Sequence, residues 1–158
     1  MTLPLLCRRC LPIILLLALS FGGCKQGEKT SAQANPVPED LKLTFGQSGG
    51  FAGRMMGYSI DAGGTVVRWE GKYPEENRQA TSTLDQAQVQ QLWDHATAIE
   101  LLEMQEQVMD NIVWFVTVTA EGESRRVTWN KQDPEAPVQQ FFNACMDLAK
   151  TALGEEGR

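Results

Sequence analysis

Apolar and polar residues take turns along much of this chain, and the period of that exchange sets out its elements. Leu41, Leu43 and Phe45 alternate with Lys42, Thr44 and Gly46, the two-residue period of a half-buried strand. Residues 47–53 break the pattern with three glycines. Met56, Tyr58 and Ile60 resume it, Asp61-Ala62-Gly63-Gly64 supplies residues tolerant of positive φ, and residues 66–70 return as the second arm of a hairpin. Residues 72–81 are polar and contain Pro74, which predicts a loop with at most a short edge strand. Val89, Leu92, Trp93, Ala96 and Ile99 then follow helical spacing, with Ser82 or Thr83 placed to cap. Ile112, Trp114, Val116 and Val118 interleave with Val113, Phe115, Thr117 and Thr119, so little polar character remains on either side, and a central strand covered on both faces is predicted. Glu121-Gly122 turns the chain into residues 125–130, a second hairpin. Asp133-Pro134 offers a cap and a first-turn proline ahead of Val138, Phe141, Phe142, Cys145, Leu148, Ala149 and Ala152, one wide helical stripe that Gly154 ends. The order β-β-β-α-β-β-α predicts an α+β fold, an antiparallel sheet with two helices packed on it.

The first 23 residues follow a different logic. Arg8 and Arg9 precede an apolar run over residues 11–21, and Gly22 and Gly23 stand before Cys24, the layout of an export signal. About eleven residues rising roughly 1.5 Å each do not cross a hydrocarbon core of roughly 30 Å, so the segment is expected to be cut away. Phe21-Gly22-Gly23-Cys24 resembles the lipobox of bacterial lipoproteins, although that family prefers Leu where Phe21 stands. The resemblance implies cleavage before Cys24, lipidation of its sulfur and two or three acyl chains, enough for stable anchoring. Lys25 follows where an Asp would favour the inner membrane in many Gram-negative lipoproteins, so the outer membrane or outer surface is the expected location. Residues 24–40 then read as a lipidated cysteine and a flexible tether, with a root-mean-square reach of roughly 20 Å for its fifteen residues 25–39. A single domain over residues 41–154 and a short tail over 155–158 complete the chain.

Charge narrows the partners. The 158 residues carry a net charge of −6, and removing residues 1–23, which hold two arginines and no acid, leaves −8. Nucleic acid is an unsuitable partner, since phosphate binding requires clustered Lys and Arg. The membrane is met only through the anchor on Cys24. Cys7 and Cys10 lie in the signal, where their C-x-x-C spacing has no second ligand pair, so Cys145 alone is left as a thiol and reads as a buried small hydrophobe.

Motifs that suggest chemistry fail on context. Gly46-Gln47-Ser48-Gly49-Gly50 matches Gly-x-Ser-x-Gly, but a nucleophile elbow needs a helix after the serine, and here a strand follows. His95, the only histidine, has no evident orienting partner and no companions for a zinc site, and reads as a surface or boundary residue. The glycines lack the Lys and Ser/Thr of a phosphate loop. Glu100, Glu103, Glu106 and Asp110 lack the alternation and glycine of a calcium loop and read as a solvated connection. No metal or cofactor is expected, and no enzymatic activity. Trp69, Trp93, Trp114 and Trp129 read mostly as core, with Trp129 open as a surface anchor.

One segment is left: Ser48, Gly49, Gly50, Phe51, Ala52, Gly53 and Arg54, three glycines around a large apolar residue followed by a cation. It reads either as a bulge or wide turn with Phe51 tucked into the core, or as a recognition loop with Phe51 and Arg54 as anchors, the residue types that dominate binding hot spots. The hexapeptide Ser48-Gly49-Gly50-Phe51-Ala52-Gly53 with the strand leading into it, the helix carrying Leu92-Trp93, the strand Trp114-Phe115-Val116-Thr117-Val118 ending at Gly122, and the closing amphipathic helix resemble the emfourin family over residues 42–153. Members of that family inhibit protealysin and related thermolysin-like zinc metallopeptidases. The resemblance implies tight, non-covalent blocking of such a secreted or envelope peptidase. The export signal, the tether and the polar insert over residues 72–80 depart from its compact members. A cell-envelope adaptor or structural lipoprotein, docking a non-protease partner on the same scaffold, is the alternative.

Overall fold

The computed structural model describes residues 35–50, 53–105, 107–133 and 135–155. Eight elements follow in order: β1 (Lys42–Gly49), β2 (Arg54–Asp61), β3 (Thr65–Gly71), β4 (Asn77–Thr83), α1 (Gln86–Ala98), β5 (Ile112–Ala120), β6 (Glu123–Trp129) and α2 (Pro137–Leu153). The strands form one six-stranded sheet in the order β4-β3-β2-β1-β5-β6, and each neighbouring pair is antiparallel. The fold is α+β, in the expected order of strands and helices. The edge strand that the polar insert permitted is present as β4. Its residues are mostly exposed, and a register shift between Arg68 and Trp69 leaves Gln79 bulged.

Alternation puts Leu43, Phe45, Ile60, Val66, Val116, Val118 and Val127 on one face of the sheet, where they bury against Val89, Leu92 and Ala96 of α1 and Phe141, Phe142, Cys145 and Ala149 of α2. No helix among the described residues is long and apolar enough to span a membrane. The opposite face carries no helix among the described residues but has its own small apolar cluster, in which Val67, Trp69 and Phe115 are buried with Met55 beside them. Strand β5 is therefore covered on both faces as expected. The second cover consists of side chains: Phe115 lies beneath the Arg126 guanidinium, 3.9 Å from the ring centre, and beside Trp69.

Both helix starts fall later than the sequence suggested. Thr83 still pairs with Thr65 in the sheet and the Leu84 N–H donates to the Gly64 carbonyl, so neither Ser82 nor Thr83 can cap. Asp85 caps α1 instead, accepting from the Gln88 N–H at 2.8 Å while Gln88 Oε1 accepts from the Asp85 N–H at 3.0 Å. Asp133 spends its carboxylate on the Glu135 N–H in a preceding turn; Pro134 lies outside the described residues, and Pro137 takes the first helical position. Gly154 ends α2 at φ 69°, as expected.

Interior polar groups find partners that place several sequence assignments. Trp129 is buried and donates its indole N–H to Gln139 Oε1 at 2.8 Å, which makes it core and not a surface anchor. Cys145 is fully buried, and burial pushes its thiol pKa up, away from reactivity. Asp40 accepts from the Glu121 and Gly122 N–H groups at 2.8 and 2.7 Å, tying the start of the domain to the β5–β6 turn.

Candidate functional site

Strands β1 and β2 pair to their ends, with Ser48 opposite Met55 and Gly49 opposite Arg54, so the glycine-rich segment is the tip of a hairpin. Phe51 and Ala52, at the centre of that tip, lie outside the described residues, as does Cys24. On either side of them the backbone is closely held. The Gly53 N–H donates to the Gly50 carbonyl at 3.0 Å, and the Gly50 N–H donates sideways to the Asn111 carbonyl at 2.7 Å, just before β5. Gly49 takes φ 124° and sits so near Asn111 that a Cβ there would collide with the Asn111 carbonyl oxygen. Gly50 and Gly53, at φ 79° and 57°, have open space around them and need glycine only for the dihedral.

Asn111 is itself fixed by Asp110. The Asp110 carboxylate accepts from Asn130 Nδ2 and from the Asn111 N–H, both at 2.6 Å, and those bonds, the first above all, hold its pKa below the usual carboxylate range. Asp110 was expected to lie in a solvated connection. It is solvated, yet it braces the hairpin tip through its neighbour. Nothing local in the sequence signals this, because the contact requires β1 to pair with β5.

Around the tip lie side chains suited to contact. Arg54 is 62% exposed and meets Glu70 only at 3.5 Å. Ile112, opposite Gly49, is 45% exposed, Met56 is 55% exposed and Met109 is wholly exposed. On the helical side of the sheet an adjoining groove of about 230 Å³ is lined by Gln47, Met56, Tyr58, Trp114, Phe142 and Met146. The sequence pattern assigned Met56 and Trp114 to strands correctly, but could not show that α2 stops short of covering them.

The serine and the histidine do not meet. Ser48 lies between Met55 and Val113 on the face opposite α1 and α2, whereas His95 stands on α1 edge-on to Phe141, with ring centres 5.3 Å apart. No group of three His, Cys, Asp or Glu side chains among the described residues is arranged to hold a metal ion. The site is a braced loop flanked by apolar and cationic surface, an arrangement suited to binding.

No protein-family model matches this chain, and no curated protein does.

Proposed function

We propose that this chain is a membrane-anchored, non-catalytic inhibitor of a thermolysin-like zinc metallopeptidase, presenting residues 48–54 to the enzyme's cleft. The observation that carries the reading is the double tether of the hairpin tip, from Gly53 to Gly50 and from Gly50 to Asn111. Peptidases bind substrates as extended strands, and a segment already held in its bound shape loses little entropy on docking and resists the distortion that cleavage requires. The sequence likeness to the emfourin family supports the same reading. Phe51 would supply the apolar anchor and Arg54 the cationic one, with Met56 and Ile112 as flanking contacts. Cys24 and the tether over residues 25–39 would hold the inhibitor at the cell envelope, within reach of exported peptidases.

The experiment is a titration of the protein against a panel of thermolysin-like enzymes, with Phe51→Ala and Arg54→Ala alongside. Inhibition weakened by more than about 1 kcal/mol in each variant supports the assignment. Inhibition that both variants retain moves the contact elsewhere on the domain. The exposed Met109, Ile112 and Met56 would equally serve an envelope adaptor with no protease target. Crosslinking in intact cells that captures one envelope protein through these residues, with no effect on any peptidase, favours that second reading.

A further inference from the structure

Ser59 is 2% exposed on β2, on the face opposite α1 and α2, and its hydroxyl oxygen already accepts the Trp69 indole N–H at 3.0 Å. Its own hydrogen is left to give, and it goes to the carboxylate of Glu75. Two cations reach the same carboxylate. Lys42, at the start of β1, meets one oxygen at 2.8 Å, and Arg78, on β4 opposite Trp69, meets the other at 2.6 Å. Together these side chains line a cavity of about 110 Å³, remote from the hairpin tip. Asp61 lines it too, with its Oδ1 engaged by the Thr65 N–H at 2.9 Å.

Receptor and occupant are built differently. Ser59 and Trp69 are core residues on paired strands, and Lys42 and Arg78 stand on strands of the same sheet. Glu75 comes from the loop between β3 and β4, where Lys72, Tyr73, Pro74 and Glu76 are exposed while Glu75 turns inward, its side chain 15% exposed. To turn inward it adopts φ 61°, the left-handed region that a side chain of this kind enters at a cost. Without Glu75, a buried hydroxyl would lack its acceptor and two cations would face only Asp61. Such a set of donors selects an anion, and one cation for each oxygen fits the two-oxygen fork of a carboxylate.

We propose that Lys42, Ser59 and Arg78 form a carboxylate-binding site that the chain closes with its own Glu75, and that a carboxylate from another molecule opens it by displacing that side chain.

The test uses the full chain, ¹⁵N-labelled and held in detergent micelles, and reads the Trp69 indole N–H resonance, assigned by its loss in Trp69→Phe. Glu75→Gly removes the carboxylate and lets the left-handed turn form freely. Two probes separate the sources of a carboxylate: acetate for a free small acid, and the peptide acetyl-Gly-Glu-Gly-amide for a side chain of a partner protein. Each is compared with chloride at equal ionic strength. In Glu75→Gly the probes are expected to shift the resonance saturably below about 100 mM, where chloride does not, and adding Arg78→Gln is expected to weaken binding about tenfold or more. The tighter probe identifies the source, and equal binding shows that the site reads the carboxylate alone. In the unsubstituted protein Glu75 competes, so the same shift is expected to need about tenfold more probe. An unchanged Trp129 indole resonance reports that each variant remains folded. No saturable shift in Glu75→Gly, an equal shift with chloride, or binding that survives Arg78→Gln overturns the proposal. So does an unsubstituted protein that binds as tightly as Glu75→Gly, or one in which about 1 M probe leaves the resonance in place.

Discussion

Trp69 and Phe115 stand on strands that are not neighbours, yet their ring centres lie 6.4 Å apart. The register explains how. Trp69 is opposite Gly57, Gly57 opposite Gly46, and Gly46 opposite Phe115, so two glycines form a floor across which the rings lean together. Both aromatic side chains are almost wholly buried on a face that neither α1 nor α2 covers. Glycine in a strand interior is usually a weakness, and here the rings shield the bare backbone.

A Cβ at Gly46 would strike the Met56 carbonyl oxygen, and one at Gly57 the Phe45 carbonyl oxygen. Gly46→Ala and Gly57→Ala are each expected to destabilise the domain by about 1–3 kcal/mol, because backbone must move to admit the methyl. Phe115→Ala is expected to cost about 3–5 kcal/mol. Urea denaturation of each variant checks the ranking; an alanine at either glycine that leaves the midpoint unchanged would show that the floor tolerates a side chain.

The Trp69 indole N–H donates to Ser59 Oγ at 3.0 Å, and both residues are buried. Ser59→Ala strands that N–H and is expected to cost about 1–3 kcal/mol. In a Trp69→Phe background the same change should cost measurably less, since no indole is left to strand. Equal costs in the two backgrounds would remove the bond from the account.

The elements on the helical face were legible in the sequence because alternation and turn glycines are local signals. Lys42 to Gly46 reads as a strand without knowledge of its partners. The Trp69–Phe115 pair was not legible, since it depends on the register of four strands. Strand β4 was faint for a related reason: Asn77–Thr83 has almost no apolar content, and it pairs through backbone bonds to β3 with a bulge at Gln79. The helix caps slipped by two or three residues because Thr83 and Asp133 have stronger local alternatives, a strand partner and a turn. At the hairpin tip, the glycines announced a special backbone, but its brace from Asn111 and Asp110 comes from a distant part of the chain.

Asp40 is held below the usual carboxylate range by the Gly122 N–H first and the Glu121 N–H second. A depressed folded-state pKa gives stability that is present above the unfolded value, about 3.9, and fades as pH falls through the lower folded one. Asp40→Asn is therefore expected to flatten the acid limb of the stability profile below about pH 4. Denaturation midpoints measured across that range check it, and parallel profiles for the two proteins would assign the acid sensitivity to other carboxylates.

The glycines of the hairpin tip should differ in their demands. Gly49→Ala forces the tip away from Asn111, whereas Gly50→Ala meets no atom and bears only the dihedral strain, roughly 1–2 kcal/mol. Gly49→Ala is expected to be the more destabilising and to speed amide hydrogen exchange at Gly50, whose N–H loses its acceptor. Unchanged exchange at Gly50 would contradict the brace.

As proposed, residues 48–54 at the hairpin tip stop a thermolysin-like metallopeptidase. Titrating the protein against such enzymes and following peptide cleavage tests it most directly. The account predicts a saturable loss of cleavage that Phe51→Ala and Arg54→Ala each weaken. Cleavage that continues unchanged at micromolar protein, across the panel, would contradict it.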